Sequence, residues 1–337
     1  MGSDPRADGG QTPSVTMRYR QYPRTGWELS EIGYGMWGLG GWTGSDDAET
    51  LQSLAESVAL GCNFFDTAWA YGAGHSERLL GQTLRAHRDR RLYVATKVPP
   101  KNQRWIQLDD CALDDVFPSD HIRAFTEASL HNLGVDTIDL QQLHAWSDRW
   151  AADDRWQRTL DDLRREGLVR SWGISVNRWE TTNVVRALDT GLIDCVQVVY
   201  NIFDQDPEDV LFPYCQERGI AVIARVPFDE GSLTGTLTRD TRFPDGDWRN
   251  MYFTPAQLDA TLPRVDRLKA IVPAPMTLPE LALRFILQHP AVTTTIPGMR
   301  RLANVRANCA VSDGVPLASP LREQLRAHRW ERDWVVP

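Results

Sequence analysis

Along the chain, short apolar runs alternate with segments whose apolar residues recur at helical spacing, and this continues nearly to the end. Such alternation predicts a parallel sheet with crossover helices. Tyr19 to Leu29 alternates around the turn residues Pro23 and Gly26 and reads as a hairpin ahead of the repeat. Strands are predicted near Ile32–Trp37, Asn63–Phe65, Leu92–Thr96, Thr137–Gln141, Val169–Ile174, Cys195–Val199, Ile220–Ala224 and Val292–Ile296. After the first of them, Leu51, Leu54, Ala55, Val58 and Ala59 form an i, i+3, i+4 stripe, with Asp46 and Glu49 at N-cap and N3 spacing. Further helices are expected after Ser76, from Ser119 to Leu133 with Gly134 as the stop, through Trp156, Leu160 and Leu163, and through Val184 and Leu188. The last three end near Glu217, begin at Thr277 (in capping-box spacing with Glu280), and follow Arg301. Eight strand–helix units predict one α/β domain over residues 17–337, a (β/α)8 TIM barrel behind an N-terminal β-hairpin. Two connections, Val98 to Pro118 and Arg225 to Met276, are long, and both follow a strand, on the barrel face that carries active sites.

Composition narrows the function. A formal charge of -8 argues against nucleic-acid binding, which needs a basic footprint. No apolar run reaches the ~18 residues of a membrane helix. The five cysteines, Cys62, Cys111, Cys195, Cys215 and Cys309, show no CxxC pair, and one is left over. A reduced cytoplasmic protein is therefore expected. Met1 to Thr16 is polar, lacks the apolar stretch of a signal peptide, and is expected to be a disordered lead-in.

Four polar residues sit at or just past the ends of three consecutive predicted strands. Asp66 ends Asn63-Phe64-Phe65, Tyr71 follows it by five residues, Lys97 ends Leu92 to Thr96, and His144 follows Asp139 to Leu143. Taken singly, the aspartate reads as a helix cap and the others as packing or surface residues. Together they are the parts of a metal-free general-acid site. Tyrosine is a weak proton donor with a pKa of ~10, and a neighbouring ammonium lowers that value. A carboxylate keeps a buried lysine charged, and an imidazole can steer a substrate oxygen.

The run Gly61-Cys-Asn-Phe-Phe-Asp66-Thr-Ala-Trp-Ala-Tyr71-Gly-Ala-Gly-His-Ser76-Glu77-Arg-Leu-Leu-Gly81 resembles the long signature of the aldo-keto reductase superfamily. Thr96-Lys97 and Gln142-Leu143-His144 resemble its two other catalytic motifs, and the resemblance covers roughly Met17 to Val311. It implies hydride transfer between NADP(H) and an aldehyde, ketone or alcohol, with Tyr71 as the acid, Lys97 and Asp66 tuning it, and His144 orienting the carbonyl. It also implies a cofactor site. Gly35, Met36, Trp37 and Asp66 would lie near the nicotinamide, Ser175, Asn177 and Gln197 would bind its carboxamide, and Arg225 would stand where many relatives stack an aromatic ring. Phe228 and Gly231 would follow on the pyrophosphate side. Gly298, Arg300, Asn304 and Asn308 would grip the adenosine end, with Arg300 on the 2′-phosphate and a helix start aimed at it. Three positions depart from the family pattern: Val226 and Ala307 replace a common serine and glutamate, and Asp229 with Glu230 puts negative charge near the pyrophosphate. The family also contains NADP-binding regulatory subunits of ion channels, and a redox-neutral enzyme of sugar or natural-product metabolism is a further alternative.

The formal GxGxxG match, Gly33 to Gly38, lacks the helix that a dinucleotide fold opens there, so it reads as the first barrel strand. Trp37, Trp42, Trp69, Trp105 and Trp146 fall in or beside strand-end loops, where they would either pack or line an aromatic substrate pocket together with Tyr71 and His144. The tail from His328, with Trp330 and Trp334, would fold over that pocket or dock on the barrel's side. No metal-ligand pattern stands out.

Overall fold

A computed structural model describes residues 17–40, 44–107 and 111–332. Residues 1–16, Trp42 and the end of the tail with Trp334 lie outside the described residues. The hairpin is β1 (Tyr19–Tyr22) paired antiparallel with β2 (Trp27–Ser30). Eight parallel strands follow: β3 (Tyr34–Gly35), β4 (Phe64–Asp66), β5 (Tyr93–Val98), β6 (Ile138–Leu143), β7 (Val169–Ser175), β8 (Cys195–Val199), β9 (Ala221–Arg225) and β10 (Val292–Thr295). They are hydrogen-bonded in chain order, and parallel bridges Ile32–Thr295 and Gly35–Gly298 join the first to the last. The joint is tight: the Gly35 amide donates to the Pro297 carbonyl at 3.0 Å, and a Cβ on Gly35 would run into the Ile296 carbonyl oxygen. Gly35 thus serves barrel closure, where only a residue without a side chain fits.

Strand periodicity of two decides what fills the barrel. Phe64, Ala95, Leu140, Cys195, Ala221 and Ile223 form one buried apolar cluster with Ile296, and Tyr22 and Leu29 of the hairpin close it from below. Tyr22 also hydrogen-bonds Ser171, near the start of β7, at 2.7 Å. Two residues further along the same strands come Asp66, Lys97, Gln142, Gln197 and Arg225. An apolar floor is therefore followed, one side-chain layer up, by a polar layer at the carboxyl ends.

Most element positions agree with the pattern. Cys195–Val199 and Ser119–Leu133 match residue for residue, and Asp46 caps its helix by accepting from the Glu49 amide at 2.8 Å. Some do not. The first strand shortens to two residues because a 3-10 turn starts at Trp37. Lys97 lies inside β5 rather than at its end. The helix through Val184 is only Val185–Leu188. At Thr277 only half of the capping box forms, because Glu280 pairs with Arg284 instead. The complete box is at Thr254 and Gln257, opening a 15-residue helix, Pro255–Lys269, inside the connection expected to be a loop. That helix has its own apolar spacing, Leu258, Thr261, Val265 and Leu268, despite Pro263. With Tyr252 and Phe253, Leu258 forms a satellite core that packs Trp179, Leu237, Phe243 and Trp248.

Candidate active site

The polar layer holds a connected set of charges. Lys97 is fully buried, and its Nζ donates to Asp66 Oδ2 at 2.6 Å, to the Thr67 carbonyl at 2.7 Å and to the Tyr71 hydroxyl at 3.3 Å. The other Asp66 oxygen accepts from Gln197 at 2.7 Å and from Gln142 at 3.3 Å. Register explains this: Lys97 lies directly opposite Gln142, and Asp66 is paired with Ala95, two residues before Lys97. Gly173 leaves the space into which Gln142 packs, since a Cβ there would sit 3.0 Å from Gln142 Cγ. The His144 ring stands with its centroid 5.8 Å from that of Tyr71. All four tetrad residues are thus brought together at one mouth of the barrel.

Protonation follows from burial and charge. Burial pulls Lys97 downward, but Asp66 and Tyr71 outweigh it and hold its ammonium above the ordinary range. For Tyr71 burial is again the largest influence and raises its hydroxyl, against the opposing pull of Lys97. Sequence reasoning had the ammonium lowering Tyr71 below its usual value. The structure gives the reverse net direction, because loss of water costs the phenolate more than one ammonium returns. Burial, helped by the cations Lys97 and Arg225, pushes His144 well below the ordinary histidine range. Near neutral pH the site therefore holds a Tyr71 hydroxyl, a Lys97 ammonium and a neutral His144 imidazole.

Most of the expected cofactor residues lie at or after the carboxyl ends of the strands, and Asn304 and Asn308 lie on the helix after β10. Ser175 ends β7 opposite Gln197, and Asn177 lies just beyond, its side chain accepting from the Trp179 amide at 3.1 Å. Met36 is buried, and Trp37 is 38% exposed on the rim, edge-on to Trp248. Arg225 ends β9 and donates to the Val176 carbonyl at 3.0 Å. From Val226 to Gly231, four of six residues have positive φ: Val226, Asp229, Glu230 and Gly231. For a β-branched valine this is a strained conformation, of the kind that clusters at functional sites. Phe228, between them, packs against the main core. On the other side, Gly298 has open space where a Cβ would be, and Arg300 is half-buried. Asp247 is close by: burial raises its carboxyl, but Arg249 and, more weakly, Arg300 hold it low. Asn304 is exposed and Asn308 buried on the helix Leu302–Ala310, whose N-terminus has no side-chain cap. Arg306 is committed to Glu56 at 2.7 Å.

Three buried polar atoms of these residues, His144 Nδ1, Arg225 Nε and Asn308 Nδ2, have no hydrogen-bond partner among the described residues. Unpaired buried polar atoms are rare, and these three belong to residues that the resemblance assigns to the catalytic and cofactor sites. Among the described residues no cluster of His, Cys, Asp or Glu could hold a metal ion, and no helix is long and apolar enough to cross a membrane.

The tryptophans divide. Trp105, 47% exposed, stands edge-on to His144 at 4.7 Å between centroids. Trp69 packs edge-on against Phe125. Trp146 is buried between Trp150 and Trp156 as part of the main core. The sequence places Gln142 in a catalytic motif without giving it a role, and it does not point to Arg178 or Trp248. Gln142 was readable, because it shares strand parity with Leu140 and His144. The other two come from loops.

Known proteins match this architecture. The family model for the aldo/keto reductase family matches residues 31–327. The NADH-specific methylglyoxal reductase of Escherichia coli is 30% identical over 84% of this chain and 89% of its own length. The aldo-keto reductase AKR11C1 from Bacillus halodurans, in its holo form, superposes with a TM-score of 0.74 at 27% identity, covering 93% of this chain and 97% of that one. A Klebsiella pneumoniae aldo-keto reductase in complex with NADPH shares the fold, with a TM-score of 0.69 at 24% identity over 95% and 98% of the two chains. With the motifs, the barrel and the matched span in agreement, the chain belongs to the aldo/keto reductase family.

Proposed function

We propose that this protein is an NADP(H)-dependent carbonyl reductase in which Tyr71 is the proton donor. The observation that carries the reading is the buried Lys97 ammonium, within hydrogen-bond distance of both Asp66 and Tyr71. The dinucleotide, when bound, supplies the hydride. The Tyr71 hydroxyl would give its proton to the carbonyl oxygen as the carbonyl carbon is reduced. The tyrosinate left behind is stabilised by Lys97 at 3.3 Å, and Asp66 keeps Lys97 charged. His144 is neutral and so orients the substrate oxygen by a hydrogen bond rather than competing as a cationic acid. Trp105 and Trp37 form an exposed apolar rim for the rest of the substrate.

Ser175, Asn177, Gln197 and Arg225 would hold the nicotinamide end, and Arg300 with the uncapped start of the helix Leu302–Ala310 would hold the 2′-phosphate. The Escherichia coli relative is NADH-specific by name, so the preference for NADPH rests on Arg300 in this chain. Incubation with methylglyoxal and NADPH deuterated at the transferable position tests the reading. Deuterium in the alcohol product is the expected result. NADPH binding without label transfer to any of a panel of aldehydes and ketones would favour a binding role instead.

A further inference from the structure

The strongest unexplained feature lies beside the mouth. Arg332, on the C-terminal segment, has a side chain only 1% exposed. Its guanidinium donates to Asp204 Oδ1 at 2.6 Å and to Asp229 Oδ1 at 2.7 Å. Arg178 reaches the same two carboxylates, at 2.7 and 2.6 Å. Asp229 also accepts from the Ser232 hydroxyl at 2.6 Å and the Tyr252 hydroxyl at 2.8 Å. Glu230 lies 3.9 Å from Arg178. Asp229 and Glu230 sit in the positive-φ run after β9, the run that the family resemblance would put beside the cofactor's pyrophosphate. Two carboxylates there would repel that group, yet the chain carries them.

We propose that Arg332 is a positioning residue through which the C-terminal segment locks the loop Val226–Gly231 and offsets the charge of its Asp229 carboxylate, so that the tail sets dinucleotide affinity and release. This rests on the reading of the protein as a dinucleotide-dependent reductase. Geometry separates the lock from simple anchoring of the tail. The Trp330 amide donates to the Phe203 carbonyl at 2.9 Å, and the Trp330 ring takes the Arg264 guanidinium at 4.0 Å. Arg329 pairs with Asp206 and Asp209, each at 2.6 Å. These contacts hold the tail to the surface without touching the loop. Among the described tail residues Arg332 carries its charge inward, and its forked guanidinium, like that of Arg178, bridges two carboxylates that lie on different strand-end loops. Without it, Arg178 is left to face both Asp204 and Asp229, the cluster loses one of its two cations, and the loop loses a tether.

The test compares Arg332→Met, Arg332→Lys and Arg329→Met with wild type. NADPH affinity and release are followed by the fluorescence of the bound nucleotide, and hydrogen exchange of residues 226–234 is measured without nucleotide. In Arg332→Met the dissociation constant and the release rate should both rise roughly tenfold. Exchange in the loop should quicken, and hydride transfer from already bound NADPH should keep its rate. Arg332→Lys should fall in between, and Arg329→Met should stay within about twofold of wild type. Equal binding and exchange in Arg332→Met and wild type would overturn the proposal, as would Arg329→Met matching Arg332→Met. Should Arg332→Met fail to fold, Arg332→Lys decides: faster release than wild type upholds the lock, and identical release overturns it. Failure of the wild type to bind NADPH would instead remove the proposed function on which the lock rests.

Discussion

Two buried charge clusters stand at the same mouth, and they are built in opposite ways. The inner one, Asp66 with Lys97, comes from neighbouring strands, and register fixes its geometry. The rim cluster joins Arg178, Asp204, Asp229 and Arg332 from the segments after β7, β8 and β9 and from the tail. The inner cluster has one cation and one anion, with the second anion oxygen covered by two glutamine amides. The rim cluster shares two guanidiniums between two aspartates, and its loop backbone is strained. A sheet can hold reacting groups without any help from distant chain. A loop needs a clasp, and the clasp can come from far along the sequence. The first arrangement suits chemistry, which tolerates little displacement, and the second suits binding and release.

Lys97→Met attacks the inner cluster and has the largest expected effect. It leaves the Asp66 carboxylate buried without its cation, so stability should fall by about 3–5 kcal/mol. The rate of carbonyl reduction should fall ~10²- to 10⁴-fold. Urea unfolding and single-turnover kinetics measure the two losses. Arg332→Met at the rim should by contrast leave the hydride step alone and change affinity, which keeps the two clusters distinct.

Glu230→Gln is the subtlest probe. Burial pushes the Glu230 carboxyl up, Arg178 opposes, Asp229 adds to the rise, and Arg225 and Arg249 pull down, with a net value of about 7. A raised carboxyl binds its proton more tightly when folded. Its contribution is therefore complete below the ordinary value of 4.5 and is lost as pH rises through about 7. Wild type should lose up to about 3 kcal/mol relative to Glu230→Gln between pH 5 and 8. NADPH binding should weaken over the same range in wild type more than in the variant. Parallel pH profiles of melting temperature and affinity check both statements.

The same contrast explains what was legible in the sequence. The barrel follows from local periodicity, and Asp66, Lys97 and His144 keep a fixed phase to their strands, whereas Tyr71 lies in a loop and its role came from the family resemblance. Phase would also have found Gln142. The helix Pro255–Lys269 was lost because Pro263 interrupts an otherwise regular stripe and the surrounding loop signals are strong. Trp146 was misleading: it follows a strand as Trp105 follows β5, yet its neighbours Trp150 and Trp156 draw it into the core. The rim cluster left no trace, since nothing in the spacing of residues 178, 204, 229 and 332 brings them together. Asp229 and Glu230 read in isolation as an obstacle to a pyrophosphate, and only the folded chain supplies the arginines that offset them.

The central claim is that the inner cluster exists to make Tyr71 a proton donor. Tyr71→Phe removes one hydroxyl and keeps the ring, so packing survives. Decay of bound NADPH in a single turnover with a reactive aldehyde, followed at pH 7 in wild type and Tyr71→Phe, tests the claim most directly. Decay should be slower by ~10²- to 10⁴-fold in the variant, with NADPH affinity unchanged. Equal decay in the two proteins would contradict it.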